Sequence, residues 1–294
     1  MSRPSIGRVA WLAIRPQTLP AAVAPVIVST ALASAHGHHH LGVTLVAMLG
    51  AILIQIFANL YNDVADFRRG ADTEDRVGPA RVTQKGWMTQ RQVLQACVAV
   101  VVGALLTGVY LAWVGGWPIF VLGLVSLLFA YLYTGGPAPL AYVGLADLFV
   151  LIFFGEVAVC ATYYLIVGHL HPAAWVLGLV VGLPTTAILV VNNLRDQETD
   201  ALVNKRTLVV RFGNTFGQVE YAVCLIGAQG VLALGLVFGS VPSGAWVGLI
   251  ALPLAIWRVM QLRTCSGAAL NPLLGVTARH GLLVSTLLSV GVIL

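Results

Sequence analysis

Nine apolar stretches, each near the length a helix needs to cross a bilayer, occupy most of this chain: residues 16–36, 41–65, 92–114, 117–134, 143–168, 172–194, 216–239, 243–262 and 275–294. A hydrocarbon core about 30 Å thick takes ~20 apolar residues in helical form. Backbone that crosses it must satisfy its own hydrogen bonds. One fold class follows: an all-α integral membrane protein, a bundle of nine transmembrane helices around a central cleft open to the cytoplasmic edge. Only 9% of the residues are charged and 59% are hydrophobic, whereas a soluble domain carries about 25% charged residues. Gly, Ala and Ser scattered through the stretches suit close helix packing in lipid. The first stretch lacks an A-x-A-like site and reads as a permanent span rather than a cleavable signal.

The charges test that span count. Connections after the odd-numbered stretches read HGHHHL, GGW, GHLH and GSVPS and hold no Lys or Arg. All 16 Lys and Arg lie on the other side: Arg3, Arg8 and Arg15; Arg68, Arg69, Arg76, Arg81, Lys85 and Arg91; Arg195, Lys205, Arg206 and Arg211; Arg258, Arg263 and Arg279. By the positive-inside rule that side is cytoplasmic, so the N-terminus is expected inside and the C-terminus outside. The formal charge of +5 is then mostly orientation, and a nucleic-acid partner is not expected. Cys97, Cys160, Cys224 and Cys265 stand singly in or at the ends of spans, without metal or redox spacing, and read as small buried apolar residues. His36, His38, His39 and His40 are expected in an exposed loop on the far side, with no metal role.

Two acidic clusters interrupt this pattern. In "NLYNDVADFRRGAD", Asn59, Asp63 and Asp66 lie at i, i+4 and i+7, and Asn62 and Asp66 are four apart, so they share a helical face. Asp72, Glu74 and Asp75 follow Gly70; Glu74 and Asp75, like Glu198 and Glu220, read as solvated charges. In "NNLRDQETDALVNKRT", Asn193, Asp196 and Asp200 repeat the theme at i, i+3 and i+7, with Lys205 and Arg206 just after. Four spans separate the clusters. That even number returns both to one membrane face, and the two clusters, after the second and sixth stretches, suggest two diverged halves of a single domain, 1–294. Facing carboxylates suit a hard divalent cation. Mg²⁺ takes oxygen ligands, usually one or two carboxylates plus substrate phosphates, so each cluster is expected to hold one Mg²⁺ with a diphosphate between them. Charges at a membrane edge are costly and usually functional.

The motifs "NDVAD" with "FRRGAD", and "DQETD", resemble the two Asp-rich motifs of the UbiA-type membrane prenyltransferases, and the likeness covers nearly the whole chain. Within that family, "RPQTLPAAVAPV" (15–26), "GPARVTQKG" (78–86), "YTGGPAPLAYVGLADLFVLIFFG" (133–155) and "NNLRDQETDALVNKRTLVVRFG" (192–213) resemble the members that prenylate 1,4-dihydroxy-2-naphthoate. Two positions depart from the pattern: Asn204 stands where Gly is common, and Asp147 where Glu is frequent.

The resemblance implies Mg²⁺-dependent transfer of a polyprenyl group from its diphosphate to the naphthoate ring, with loss of the carboxyl group, giving a demethylmenaquinone. Asp63, Asp66 and Asp72 are then expected on one metal, and Asp196 and Asp200 on the other. Asn59, Asn62 and Asn193 would orient phosphate or metal-bound water. Lys205 and Arg206 would clamp the diphosphate, with Arg68, Arg81 and Lys85 as further candidates, while Arg15 and Asp147 would lie near the acceptor. Tyr131 and Tyr133 are expected in an interfacial aromatic belt, and Glu156 as a buried acid or interhelical hydrogen-bonding group. Two other readings stay open: prenylation of 4-hydroxybenzoate or homogentisate, and an ion-coupled transporter, which calls for acids near the midplane on broken helices.

Overall fold

A computed structural model describes residues 4–72 and 77–294; Arg3, Glu74, Asp75 and Arg76 lie outside that set. The described residues form helices and connecting turns, with no strand among them. The helices are α1 (Ile6–Ile14), α2 (Pro20–Ala35), α3 (Leu41–Arg68), α4 (Gln90–Gly115), α5 (Trp117–Leu132) and α6 (Ala146–Val167). They continue with α7 (Pro172–Arg195), α8 (Gln197–Leu202), α9 (Leu208–Phe212), α10 (Asn214–Val237), α11 (Ser243–Arg263) and α12 (Gly267–Ile293). The all-α bundle expected from the apolar stretches is present.

Its span count differs in two places. Among the described residues, seven helices are long and apolar enough to cross a membrane, and the pair α1–α2, bent by 52°, makes up to eight. The bend falls where Pro16 and Pro20 remove backbone donors and Arg15 adopts a left-handed conformation, φ 51°. The other difference is α5. Its 16 residues reach only ~24 Å at about 1.5 Å per residue, short of the hydrocarbon core.

Helix environment follows from which face is apolar. On α4, Val98, Val102, Leu106, Val109 and Trp113 are exposed and share one face toward lipid, whereas Val93, Cys97, Ala104 and Thr107 are buried on the other. In contrast, α7 is the hub, with 72% of its apolar window buried, and it packs against α6, α10 and α12. Glycines make its closest approach possible. A Cβ on Gly155 of α6 would lie 2.6 Å from the Gly178 carbonyl oxygen and 2.9 Å from the Gly182 Cα, both on α7. Small residues of this kind are how helices associate where no water drives them together. Gly155 lies within Leu151–Val157, a segment of α6 that is π-helical.

The far-side histidines are not all loop-exposed as expected. His38, His39 and His40 are exposed, but His36 is half-buried, its Nδ1 2.6 Å from the Tyr163 hydroxyl and its ring 4.7 Å from that of His171. Burial, then the nearby His171, lowers the His36 pKa below its usual value.

Candidate active site

The functional end of α3 is set by which residues share a turn. Asn62 and Asp66, four apart, both face a polar cavity of about 420 Å³. From the other half of the chain, Asn192, Asn193 and Asp196 at the end of α7, Asp200 on α8, and Lys205 line that same cavity, with Arg15, Thr18, Arg81 and Tyr133 closing it. Both acidic clusters therefore reach one cavity at one end of the bundle.

Each acid carries a cation. Arg81 Nη2 lies 3.2 Å from Asp66 Oδ2 and its Nε 3.6 Å from Asp72 Oδ2, and Nη2 also donates to Asn62 Oδ1 at 3.1 Å. Arg195 donates to both Asp196 oxygens, Nε to Oδ1 at 2.8 Å and Nη2 to Oδ2 at 2.6 Å. Lys205 Nζ sits 3.2 Å from Asp200 Oδ1 and 3.1 Å from Oδ2. Buried charges need such partners.

Fields cross the cavity as well. Burial pushes the Asp200 pKa up to about 6, opposed by Lys205 and reinforced by Asp196 and Asp66. For Lys205, burial acts downward most strongly, but Asp200, Asp66 and Asp196 together outweigh it and hold the ammonium charged, its pKa raised. Lys205 is aimed by the turn that precedes it. Asn204 has φ 56°, the left-handed region that Gly adopts freely and Asn tolerates, which accounts for Asn at a position where Gly is common.

Several expected residues sit elsewhere. Asn59 lines the apolar cavity described below and donates to Ile14 O and Thr18 Oγ1, both at 2.9 Å, tying the α1–α2 corner to α3. Asp63 is buried behind a loop, where both oxygens accept backbone amides, from Val82 at 3.1 Å and Thr83 at 3.0 Å. Arg206 is exposed and its Nε donates to Asn204 Oδ1 at 3.0 Å. Arg68 donates to Gln90 Oε1 at 2.9 Å on the outer surface, and Lys85 is exposed. None of these five lines the polar cavity. Asp147 is buried just behind it, its Oδ1 accepting from Asn193 Nδ2 at 3.4 Å. Glu156 Oε2 is buried with no hydrogen-bond partner, so the expected interhelical hydrogen bond does not form through that oxygen; the atom lies beside Gly178. Tyr131 is exposed and packs on Tyr61, but Tyr133 lines the cavity rather than a belt.

Two contributors had no individual expectation. Tyr142 donates its hydroxyl to Asp66 Oδ1 at 3.0 Å, and its ring lies 5.0 Å from the Arg69 guanidinium and 5.9 Å from Lys205 Nζ. Arg195 was visible beside Asp196, yet nothing in the spacing showed that it would turn back onto that carboxylate.

Next to the polar cavity lies an apolar one of about 350 Å³. Arg15, Thr18, Asn62, Tyr133, Leu189 and Asn192 line both. Its walls include Phe129, Phe149 and Phe153, with Phe129 ring centroids 4.7 Å from Phe149 and 4.9 Å from Phe153.

A family model for the UbiA prenyltransferase family matches residues 22–274. The chain belongs to this family. It is 38% identical to the 1,4-dihydroxy-2-naphthoate octaprenyltransferase of Escherichia coli, covering 97% of this chain and 95% of that one. With the Bacillus subtilis protein of the same name it shares 31% identity, covering 96% of this chain and 94% of that one. The human UbiA prenyltransferase domain-containing protein 1 is 30% identical, covering 96% and 82% respectively. Among solved structures, the fold is similar to a UbiA homologue from Aeropyrum pernix, with TM-score 0.70 and 14% identity over 99% of this chain and 98% of that one. It is also similar to an Archaeoglobus fulgidus homologue bound to DMAPP and Mg²⁺, with TM-score 0.62 and 14% identity over 96% and 99%. This UbiA-family chain is thus a multi-pass membrane prenyltransferase.

Proposed function

We propose that the protein transfers a polyprenyl group from polyprenyl diphosphate to the ring of 1,4-dihydroxy-2-naphthoate, releasing diphosphate and carbon dioxide and yielding a demethylmenaquinol, the reduced form of a demethylmenaquinone. One observation carries the reading: a polar cavity lined by both acidic clusters adjoins an apolar cavity with which it shares six lining residues. A polyprenyl diphosphate has that same division. The names of the relatives in Escherichia coli and Bacillus subtilis support the choice of acceptor.

The donor set fits divalent metal. Asp66, Asp196, Asp200, Asn62, Asn192 and Asn193 offer hard oxygens to one cavity, although among the described residues no cluster of three or more His, Cys, Asp or Glu forms a ready cage. That suits Mg²⁺, which uses one or two carboxylates plus substrate phosphates. We assign one ion to Asp66 with Asp72 and Asn62, and a second to Asp196 and Asp200. When bound, such ions supply charge neutralisation to the leaving diphosphate.

The chain's own residues do the rest. Lys205 and Arg81 face the diphosphate and stabilise the negative charge that grows as the allylic C–O bond breaks and its electron pair departs. The apolar cavity holds the isoprenoid tail and excludes water that would trap the allylic cation. Phe129, Phe149 and Phe153 line that cavity, and aromatic rings attract a cation near their faces. Arg15, lining both cavities, is placed to meet the acceptor's carboxylate. We place the polar cavity at the cytoplasmic face of the cytoplasmic membrane, because every Lys and Arg falls on the side that carries it by the span order of the sequence. The acids collect at one end of the bundle, which disfavours the transporter reading.

The test is turnover of purified protein with polyprenyl diphosphate, Mg²⁺ and each acceptor in turn. A prenylated, decarboxylated naphthoate is the expected product. Prenylation of 4-hydroxybenzoate or homogentisate alone would overturn the acceptor.

A further inference from the structure

Asp63 belongs to the first acidic motif but does not face the cavity that the motif builds. The residue is 2% exposed and both carboxylate oxygens are taken, Oδ2 by the Val82 amide at 3.1 Å and Oδ1 by the Thr83 amide at 3.0 Å. Those two amides open a tight turn. Lys85 N donates to Arg81 O at 3.0 Å, Gly86 N to Thr83 O at 3.0 Å and Trp87 N to Val82 O at 2.9 Å. The first amides of such a turn have no partner within it. A buried carboxylate accepting them makes charge-assisted bonds, about twice as strong as neutral ones.

The residue immediately before the two amides is Arg81. Its side chain is 6% exposed and lines the polar cavity, where Nη2 engages Asn62 and Asp66 and Nε lies near Asp72. Its remaining nitrogen, Nη1, is buried and has no hydrogen-bond partner. An arginine offers five donors in a rigid fork suited to phosphate oxygens, so a buried donor left over beside the acids points to an anionic ligand.

We propose that Asp63 is a positioning residue and not a metal ligand: it latches the 81–87 turn onto α3 and thereby holds the Arg81 guanidinium where the substrate's diphosphate arrives. The inference rests on the proposed prenyl transfer and replaces the metal role expected for Asp63 with a mechanical one. Asn62 and Asp66 both line the polar cavity, whereas the Asp63 carboxylate meets the loop amides instead.

The experiment uses the full chain in detergent or nanodiscs. Asp63→Asn exchanges a double acceptor for one acceptor and one donor, setting an N–H against an N–H. Losing one charge-assisted bond should raise the KM for polyprenyl diphosphate about tenfold or more, while the Mg²⁺ concentration for half-maximal activity stays within about twofold. In an Arg81→Ala background, Asp63→Asn should add little, because coupled residues are not additive. Thr83→Pro removes a latch donor and leaves the carboxylate intact; it should reproduce the KM effect, whereas a metal role for Asp63 predicts no change in KM from it. A shift of the Mg²⁺ requirement by about tenfold, or multiplicative losses in the double variant, would overturn the proposal. Should the wild type fail to turn over, the function is wrong but the latch is still read out. Trypsin should then cut at Arg81 and Lys85 faster in Asp63→Asn than in wild type, and equal rates would count against it.

Discussion

Replacing Lys205 by Met removes an ammonium from the polar cavity while keeping a long apolar stem. Its Nζ stands 3.1–3.2 Å from the Asp200 oxygens in a largely buried position. Two unit charges about 4 Å apart interact by ~4 kcal/mol at an effective dielectric of 20. Removing a single preorganised group that stabilises developing negative charge costs about 2.7–4 kcal/mol, or 10²–10³ in kcat. The two figures agree, so kcat for prenyl transfer should fall by about 10²–10³ at saturating substrates. The KM for the aromatic acceptor should move little, because the lost interaction is with the leaving group. Arg206→Gln is the neighbour control: that side chain is exposed, bonded to Asn204 and outside the cavity, and its loss should change kcat by less than about twofold. Initial rates from labelled polyprenyl diphosphate decide it. A Lys205→Met enzyme within about tenfold of wild type would refute the electrostatic role, as would equal damage from the two substitutions.

Gly155→Ala should destabilise the bundle by about 1–3 kcal/mol, because the new methyl would meet the Gly178 carbonyl at 2.6 Å; an unchanged melting temperature in detergent would contradict that packing. Asn204→Ala should lower stability by about 1–2 kcal/mol, the cost of a left-handed Ala, while Asn204→Gly should not; equal melting points for the two would count against the turn. His36, with its pKa lowered by burial and then by His171, makes stability depend on pH. The unfolded chain takes up this proton at higher pH than the folded one, so stability is full above the usual value near 6.5 and falls as pH drops below it toward the folded value. Melting followed from pH 7.5 to 5 should show that fall, reduced in His36→Gln. Finally, Mg²⁺ should bind weakly alone and far more tightly with inorganic diphosphate, since Arg81, Arg195 and Lys205 already neutralise the acids; calorimetry showing equal affinity with and without diphosphate would argue otherwise.

The large-scale architecture was legible because lipid imposes simple rules. Span length follows from bilayer thickness, and charge sidedness fixes which connections share a face, so Asp66 and Asp200 could be brought together across more than a hundred residues of chain. What stayed hidden depends on short-range geometry without a period. Lys205 and Arg206 are adjacent, yet the left-handed Asn204 and the turn after it send one into the cavity and the other out. Asp63 and Asp66 are both motif acids, and only the loop carrying Val82 and Thr83, folding back onto α3, gives them different tasks. The same holds for the α1–α2 corner: Pro16 and Pro20 mark a break, but its 52° bend and the place it gives Arg15 come from packing against α3.

The pairing of every cavity acid with a basic residue explains how so much charge is tolerated beside lipid. An isolated buried carboxylate would be protonated or would destabilise the fold by several kcal/mol. Here Arg81, Arg195 and Lys205 satisfy Asp66, Asp196 and Asp200 before any ligand arrives. In the proposed reaction two of these cations, Arg81 and Lys205, then meet the diphosphate, and the acids meet its metal ions. Substrate binding becomes an exchange of partners within one cavity rather than a fresh burial of charge. Its cost in desolvation has largely been met during folding, and what the incoming ligand must supply is geometry. This gives the Asp63 latch its importance: an Arg81 released from its turn could still neutralise Asp66, but it would no longer be held where the exchange takes place.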